Sequence, residues 1–211
     1  MPQDSFSFFS PTENLLPHQG KVFYHGPIFE KSDSDSYLKE LHRTLPWAHD
    51  EIRMFGKTII TERQMAWLGD TDFSYTYSGK THLAHPWTTA LTAIKARVEA
   101  LSHTQFNSCL ANLYQQGEQG MGWHQDNEKE LGSHPTIASI SFGAERRFDF
   151  RHKESREKTS VYLEHGSLLL MTGSTQTYWQ HQLPKTKKVS SPRINLTFRT
   201  IQRVPRAAFP L

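Results

Sequence analysis

After residue 104 the chain changes its period. Short runs rich in Ile, Phe, Leu and Thr occupy 106–114, 136–142, 147–152, 159–163, 167–172, 177–182 and 193–201, separated by Gly, Pro and charged clusters. Successive side chains of an extended strand point to opposite faces, so apolar residues at alternate positions mark half-buried strands. An amphipathic helix needs a stripe with a period near 3.6 and cannot be drawn through these runs. Many short strands at such spacing suggest a β sandwich or barrel in the second half.

The first half reads differently. Residues 1–20 carry Pro2, Pro11, Pro17 and Gly20 and form an irregular lead-in. Tyr37, Leu38, Leu41 and Leu45 predict a helix over 36–45, ended by Pro46-Trp47. Residues 51–61 read as two short strands around a turn at Gly56. Leu91, Ile94, Val98 and Leu101 give the best helix, over 86–101, with Pro86 in its first turn. A length of 211 residues suits one domain. We expect a mainly β (α+β) chain, with a lead-in over 1–20, a helix-bearing extension over 21–104 and a β core over 105–202.

Composition removes several classes. One cysteine, Cys109, excludes an intrachain disulfide framework and a Cys-rich zinc module. No stretch approaches the roughly 18 consecutive apolar residues of a membrane span. The start, MPQDSFSFFSPTEN, has an acidic residue and no basic region before its aromatics. The expectation is a chain that is not secreted: cytoplasmic in a bacterium, nuclear in a eukaryote. A net charge of +3 permits nucleic-acid binding without requiring it, whereas twelve histidines make a metal site worth seeking.

Two constellations carry chemistry. In Trp123-His124-Gln125-Asp126 a His and an Asp stand two apart, so on an extended segment both reach one ion. His181 follows in another strand. Two imidazoles and a carboxylate with open positions make the facial triad of non-haem Fe(II) oxygenases. The second is Arg193-Ile-Asn-Leu-Thr-Phe-Arg199, where Ile194, Leu196 and Phe198 take one face and Arg193, Asn195, Thr197 and Arg199 the other. Such a polar face commonly meets solvent. It also makes a floor for a dicarboxylate, because guanidinium forks grip carboxylates bidentately. Asn112 and Tyr114, again two apart, add hydrogen-bonding groups.

Together, Asn112-x-Tyr114, His124-x-Asp126, Ser139-Ile-Ser-Phe-Gly143, Phe148-x-Phe150-Arg-His-Lys153, His165-Gly-Ser167, His181 and Arg193-x-Asn195-x-Thr197-x-Arg199 stand in an order that resembles the AlkB-type dioxygenases. The resemblance runs from about residue 51 to 202. It implies a double-stranded β-helix (jelly roll), with Fe(II) on His124, Asp126 and His181. It also implies 2-oxoglutarate on Asn112, Tyr114, Arg193, Asn195, Thr197 and Arg199, with Arg193 our choice for the distal carboxylate. The reaction implied is oxidative removal of alkyl groups from nucleic-acid bases, consuming O2. Within the family the chain most resembles members that repair double-stranded DNA.

The same resemblance makes residues 75–79 a nucleotide-recognition lid. Tyr75, Tyr77, Ser78 and Glu128 would enclose a flipped base, cationic in N1-methyladenine and N3-methylcytosine and so attracted to electron-rich rings. Met54 and Phe55, with Lys57, sit at a turn where exposed apolar residues need a reason. Phe55 fits an intercalating wedge. Arg63, Arg151, Lys153, Arg156, Lys158, Lys187 and Lys188 would meet phosphates, the loops around 151–158 and 185–188 flanking the core. Glu157 and Thr186 interrupt those basic runs. The partners expected are alkylated DNA, duplex and single-stranded, and O2, with no membrane and a monomeric chain. The other readings are the same chemistry on RNA or single-stranded DNA, and a non-catalytic binder of alkylation damage.

Overall fold

The computed structural model describes residues 13–54, 57–70, 74–77 and 80–202; for 50–54, 57–59, 74–77 and 80–83 it describes the backbone. Strands β1 (Lys21–Pro27), β2 (Ala48–Met54), β3 (Lys57–Gly69), β6 (Ser108–Tyr114), β8 (Ile137–Gly143), β11 (Ser167–Thr172) and β13 (Arg193–Arg199) build a large sheet in the order β1-β11-β8-β13-β6-β3-β2. Strands β7 (Met121–His124), β9 (Arg146–His152), β10 (Lys158–Leu163) and β12 (Trp179–Leu183) build a small one, β10-β9-β12-β7. Every ladder in both is antiparallel. A separate ribbon joins β4 (Ser74–Tyr77) to β5 (Lys80–Leu83). This is the expected jelly roll, two sheets facing each other with helices added.

The large sheet is buried on both faces. Ala138, Ile140, Phe142, Leu168, Leu170, Ile194, Leu196 and Phe198 meet Leu41, Leu91, Ile94 and Val98 from helices α1 (Lys31–Thr44) and α2 (Thr89–Ser102). On the inner side Val22, Tyr24, Ile137, Leu169 and Met171 meet Phe150, Val161, Leu163 and Trp179 of the small sheet. This explains β11, whose Leu168-Leu169-Leu170 breaks strict alternation: each face has its own apolar layer. Burying one such side chain stabilises the fold by about 1.5–3 kcal/mol.

Local signals set most element boundaries. Helix α2 begins three residues after Pro86, because the Thr88 side chain accepts the Leu91 N–H and caps the first turn. Helix α1 starts at Lys31, ahead of the expected residue 36. Its Ser and Asp residues lie inside the first turns rather than before them, with Lys31 and Asp35 pairing at 2.6 Å. Of the strand expected over 177–182, residues 177 and 178 instead belong to a single helical turn, α3 (Thr175–Tyr178), and β12 begins at Trp179. The first half also supplies strands that periodicity did not reveal. Strand β1 pairs with β11, and β3 runs past residue 61 to pair with β6.

Candidate active site

Strand β13 is where the two faces part. Ile194, Leu196 and Phe198 are fully buried toward the helices, while Arg193, Asn195, Thr197 and Arg199 line a cavity of about 310 Å³ between the sheets. That volume lies at the lower end for small-molecule sites. The antiparallel register sets Arg193 opposite Tyr114 and Asn195 opposite Asn112, so the residues expected to floor the site are direct cross-strand neighbours. Arg193 donates to Ser141 Oγ at 2.9 Å and stands 5.6 Å from the centre of the Tyr114 ring. Asn195 Nδ2 donates to Ser139 Oγ at 2.8 Å, and Thr197 donates to Asn195 Oδ1 at 3.2 Å. These bonds leave the Arg193 Nε buried with no hydrogen-bond partner. A buried donor of that kind is costly unless an anion meets it.

Across the cavity, β7 and β12 pair His124 directly with His181. Ligand atoms of His124, Asp126 and His181 lie within 4.8 Å of one another, and the two imidazole rings are 4.3 Å apart, edge to face. Phe148 stacks on His181 at 5.3 Å, holding the ring plane. His124 Nδ1 is 2.8 Å from the Gly122 carbonyl, which can only accept, so Nδ1 carries the proton and Nε2 offers its lone pair. Arg199 donates to Asp126 Oδ2 at 2.8 Å, and Gln176 Oε1 accepts the Asp126 N–H at 2.9 Å.

The electrostatics keep Asp126 and His181 in their binding forms. Burial pushes the Asp126 carboxyl up, but Arg199 and the two imidazoles outweigh it, and the net shift is downward. Burial, then the neighbouring His124, pushes His181 down to about 3, so it is neutral at physiological pH. Burial lowers Arg193 to about 10, still protonated near neutrality, with Tyr114 opposing the shift. A neutral His181, an ionised carboxylate and a buried cationic floor suit a divalent iron and a dicarboxylate. The residues present fit both.

The other expected site residues divide into three groups. Glu128, half-buried, and Arg63 line the same cavity; Arg63 Nε donates to Asn112 Oδ1 at 3.0 Å, so it faces the floor. Tyr75 and Tyr77 lie on β4, opposite His82 and Lys80, and Met54 pairs with Lys57 at the end of the β2–β3 hairpin, but their side chains, with all of Phe55 and Ser78, lie outside the described residues. The basic group lies away from the cavity. Arg156, Lys158, Lys187 and Lys188 are exposed and Lys153 is half-buried; Arg151 sits in β9, its guanidinium 4.3 Å from the Trp123 ring centre and bonded to Gln180. His152, between Arg151 and Lys153, is buried in β9, because its ring packs on Trp179.

Sequence reading missed Met65, Trp67 and Leu110, which with Leu131 and Ile201 give the cavity its apolar wall. The alternation Arg63-x-Met65-x-Trp67 was a usable signal had β3 been carried past residue 61. Ile201 continues the odd-numbered face of the run 193–201, so the same alternation pointed to it; Leu131 gave no signal, since it lies outside every expected strand.

Residues 20–199 match the 2OG-Fe(II) oxygenase superfamily. Among curated proteins, the chain is 41% identical over 185 residues to DNA oxidative demethylase ALKBH2 of Bos taurus, covering 82% of this chain and 66% of that one. It is 38% identical over 203 residues to ALKBH2 of Mus musculus, covering 91% and 85%. Alpha-ketoglutarate-dependent dioxygenase alkB homolog 3 of Mus musculus is 39% identical over 198 residues, covering 89% and 68%. The solved structure of OsALKBH1 superimposes with a TM-score of 0.61 at 17% identity, covering 88% of this chain and 99% of that one, a likeness of fold.

Proposed function

From the premise that this chain belongs to the 2OG-Fe(II) oxygenase superfamily, we propose that it repairs DNA by oxidative demethylation of alkylated bases such as N1-methyladenine and N3-methylcytosine. One observation carries the reading. The two-histidine, one-carboxylate cluster and the cationic floor of β13 share a single cavity, with Arg199 joining them through Asp126.

His124, Asp126 and His181 hold Fe(II). Arg193 receives the distal carboxylate of 2-oxoglutarate, with Asn112, Tyr114, Asn195 and Thr197 completing the floor. Arg199 keeps the Asp126 carboxylate ionised and aimed, and Phe148 blocks rotation of His181. When bound, Fe(II) and 2-oxoglutarate supply O2 activation, with CO2 and succinate as products, and the hydroxylated N-methyl group leaves as formaldehyde. The chain contributes placement and exclusion of water. Met65, Trp67, Leu110 and Leu131 present an apolar wall, and Glu128 offers a carboxylate to the exocyclic amine of the extruded base. Tyr75, Tyr77 and Ser78 form the lid over that base. Phe55, with Met54 and Lys57 beside it, fills the gap left in a duplex. Arg151, Lys153, Arg156, Lys158, Lys187 and Lys188 lie along phosphates.

Mass spectrometry of matched single- and double-stranded oligonucleotides carrying one N1-methyladenine tests this. Loss of the methyl mass, with stoichiometric succinate and only when 2-oxoglutarate is present, is expected on both. Binding without mass loss would make the protein a damage binder and overturn the reading.

A further inference from the structure

Arg146 is only 2% exposed, yet among the described residues no carboxylate pairs with it. One of its terminal nitrogens instead donates to three backbone carbonyls: Gly117 at 3.1 Å, Gln119 at 3.0 Å and Pro184 at 2.8 Å. A buried cation without an anion is expensive, and three converging carbonyl dipoles are what the fold provides in its place.

Those carbonyls belong to two segments pressed together. A Cβ on Gly117 would lie 2.4 Å from Thr186 O, and one on Gly120 would lie 2.5 Å from Leu183 O, so only glycine allows the approach. The Gly117 N–H donates to Val189 O, and Thr186 N–H donates to Gly117 O, both at 2.8 Å. Close approach crowds carbonyl oxygens at one point, and the Arg146 guanidinium neutralises their repulsion.

The place of this contact gives it a consequence. Residues 115–120 run into β7, which ends on His124, and Pro184 directly follows β12, which carries His181. Among the described residues, strand β7 is an edge strand with β12 as its one partner in the sheet. The ladder holds just two residue pairs, His181 with His124 and Leu183 with Met121, with an irregularity between them. So short a ladder specifies its own register weakly. Arg146 binds both strands' flanking segments just beyond the last pair.

We propose that Arg146 is a positioning residue for the metal centre, fixing the register of β7 against β12 and so keeping His124 opposed to His181. The inference rests on the reading of His124, Asp126 and His181 as metal ligands. Removing the clamp leaves Asp126 and His181 in place but lets His124 drift, so metal affinity falls while the rest of the jelly roll, held by other ladders, persists.

Co(II) titration of the full chain, followed by the visible absorption of the bound ion, tests this without turnover. Arg146→Met should weaken Co(II) binding roughly tenfold, the scale for removing a group that orients a ligand. Its absorption bands should shift, because the coordination geometry changes. Guanidinium ion added to Arg146→Ala should restore part of the affinity, an effect that simple loss of packing does not produce. Gly120→Ala, which forces the same two segments apart without altering any charge, should weaken binding in the same direction. Arg147→Met, the outward-facing neighbour, should bind Co(II) as the parent does. Asp126→Ala separates the two levels of inference. If it abolishes Co(II) binding while folded Arg146→Met and Gly120→Ala both bind normally with unchanged spectra, the positioning role fails and the triad stands. If Asp126→Ala binds Co(II) normally, the triad itself is wrong. Should Arg146→Met not fold, Gly120→Ala and the guanidinium rescue decide the matter.

Discussion

The two sheets divide the work unequally. The large sheet is covered by helices on one side and by the small sheet on the other, and its inner face gives up apolar area to Arg193, Asn195, Thr197 and Asn112. Among the described residues the small sheet has no comparable layer of helices behind it, and its outer face is a polar lattice. There Asp149 accepts from Arg147, Ser160 and Gln182, and Arg151 lies on Trp123. Its inner face keeps Phe148, Phe150 and Trp179 and admits just one imidazole of the triad in the middle of a strand, His181. A sheet with an apolar layer to spare can afford a polar floor; a sheet with a single apolar face can hold little beyond the metal ligands. On the function proposed above, that difference gives the cosubstrate to one sheet and most of the metal to the other.

Four substitutions press on this division. The largest effect belongs to the metal side: Asp126→Ala should abolish turnover with circular dichroism unchanged, since the carboxylate serves the ion and Arg199 rather than the core. Appreciable activity at saturating iron would remove Asp126 from the triad. Next comes the helix-facing side of β13, where Phe198→Ala should cost about 3–5 kcal/mol of stability in denaturant melts. Molecules that remain folded should keep their affinity for 2-oxoglutarate; a parallel rise in KM would show that the two faces are not independent.

The wedge test is expected to give a smaller effect, and it concerns the hairpin that extends from the large sheet's edge. Phe55→Ala should slow single-turnover repair of N1-methyladenine in duplex by roughly five- to hundredfold, about 1–3 kcal/mol of lost stacking, and spare the single strand. Equal losses on both would make Phe55 a packing residue. The smallest is Arg193→Lys, expected to raise KM for 2-oxoglutarate about tenfold, because an ammonium does not replace the guanidinium fork. An unchanged KM with weaker DNA binding would place β13 against nucleic acid and reverse the assignment of the sheets.

Much of this was legible in the chain before folding. Strict alternation in Arg193–Arg199 announced both the buried face and the polar one, and His124-x-Asp126 needed only an extended backbone to converge. The signal failed where burial on both faces removes alternation, as in β11, and where geometry depends on distant partners. Strand β1 is such a case, its edge completed by β11. Arg199 is another. Its spacing gave the face but not its partner Asp126, which comes from beyond the end of β7. Arg146 is a third case, since nothing in the local sequence shows that three carbonyls would converge on it.

Cys109 is the second residue of β6, between two that line the cavity, yet its own side chain points to the helices and is fully buried. Burial raises its thiol far above the usual range, so the nucleophilic thiolate is scarcely formed. A protein proposed to work where alkylating agents are abundant thus carries its single thiol where electrophiles cannot reach it. The sheet's own thickness also separates that sulfur from the oxygen chemistry on the opposite face. The rate at which a thiol reagent labels Cys109 then becomes a clock for opening of the large sheet, readable without introducing any probe.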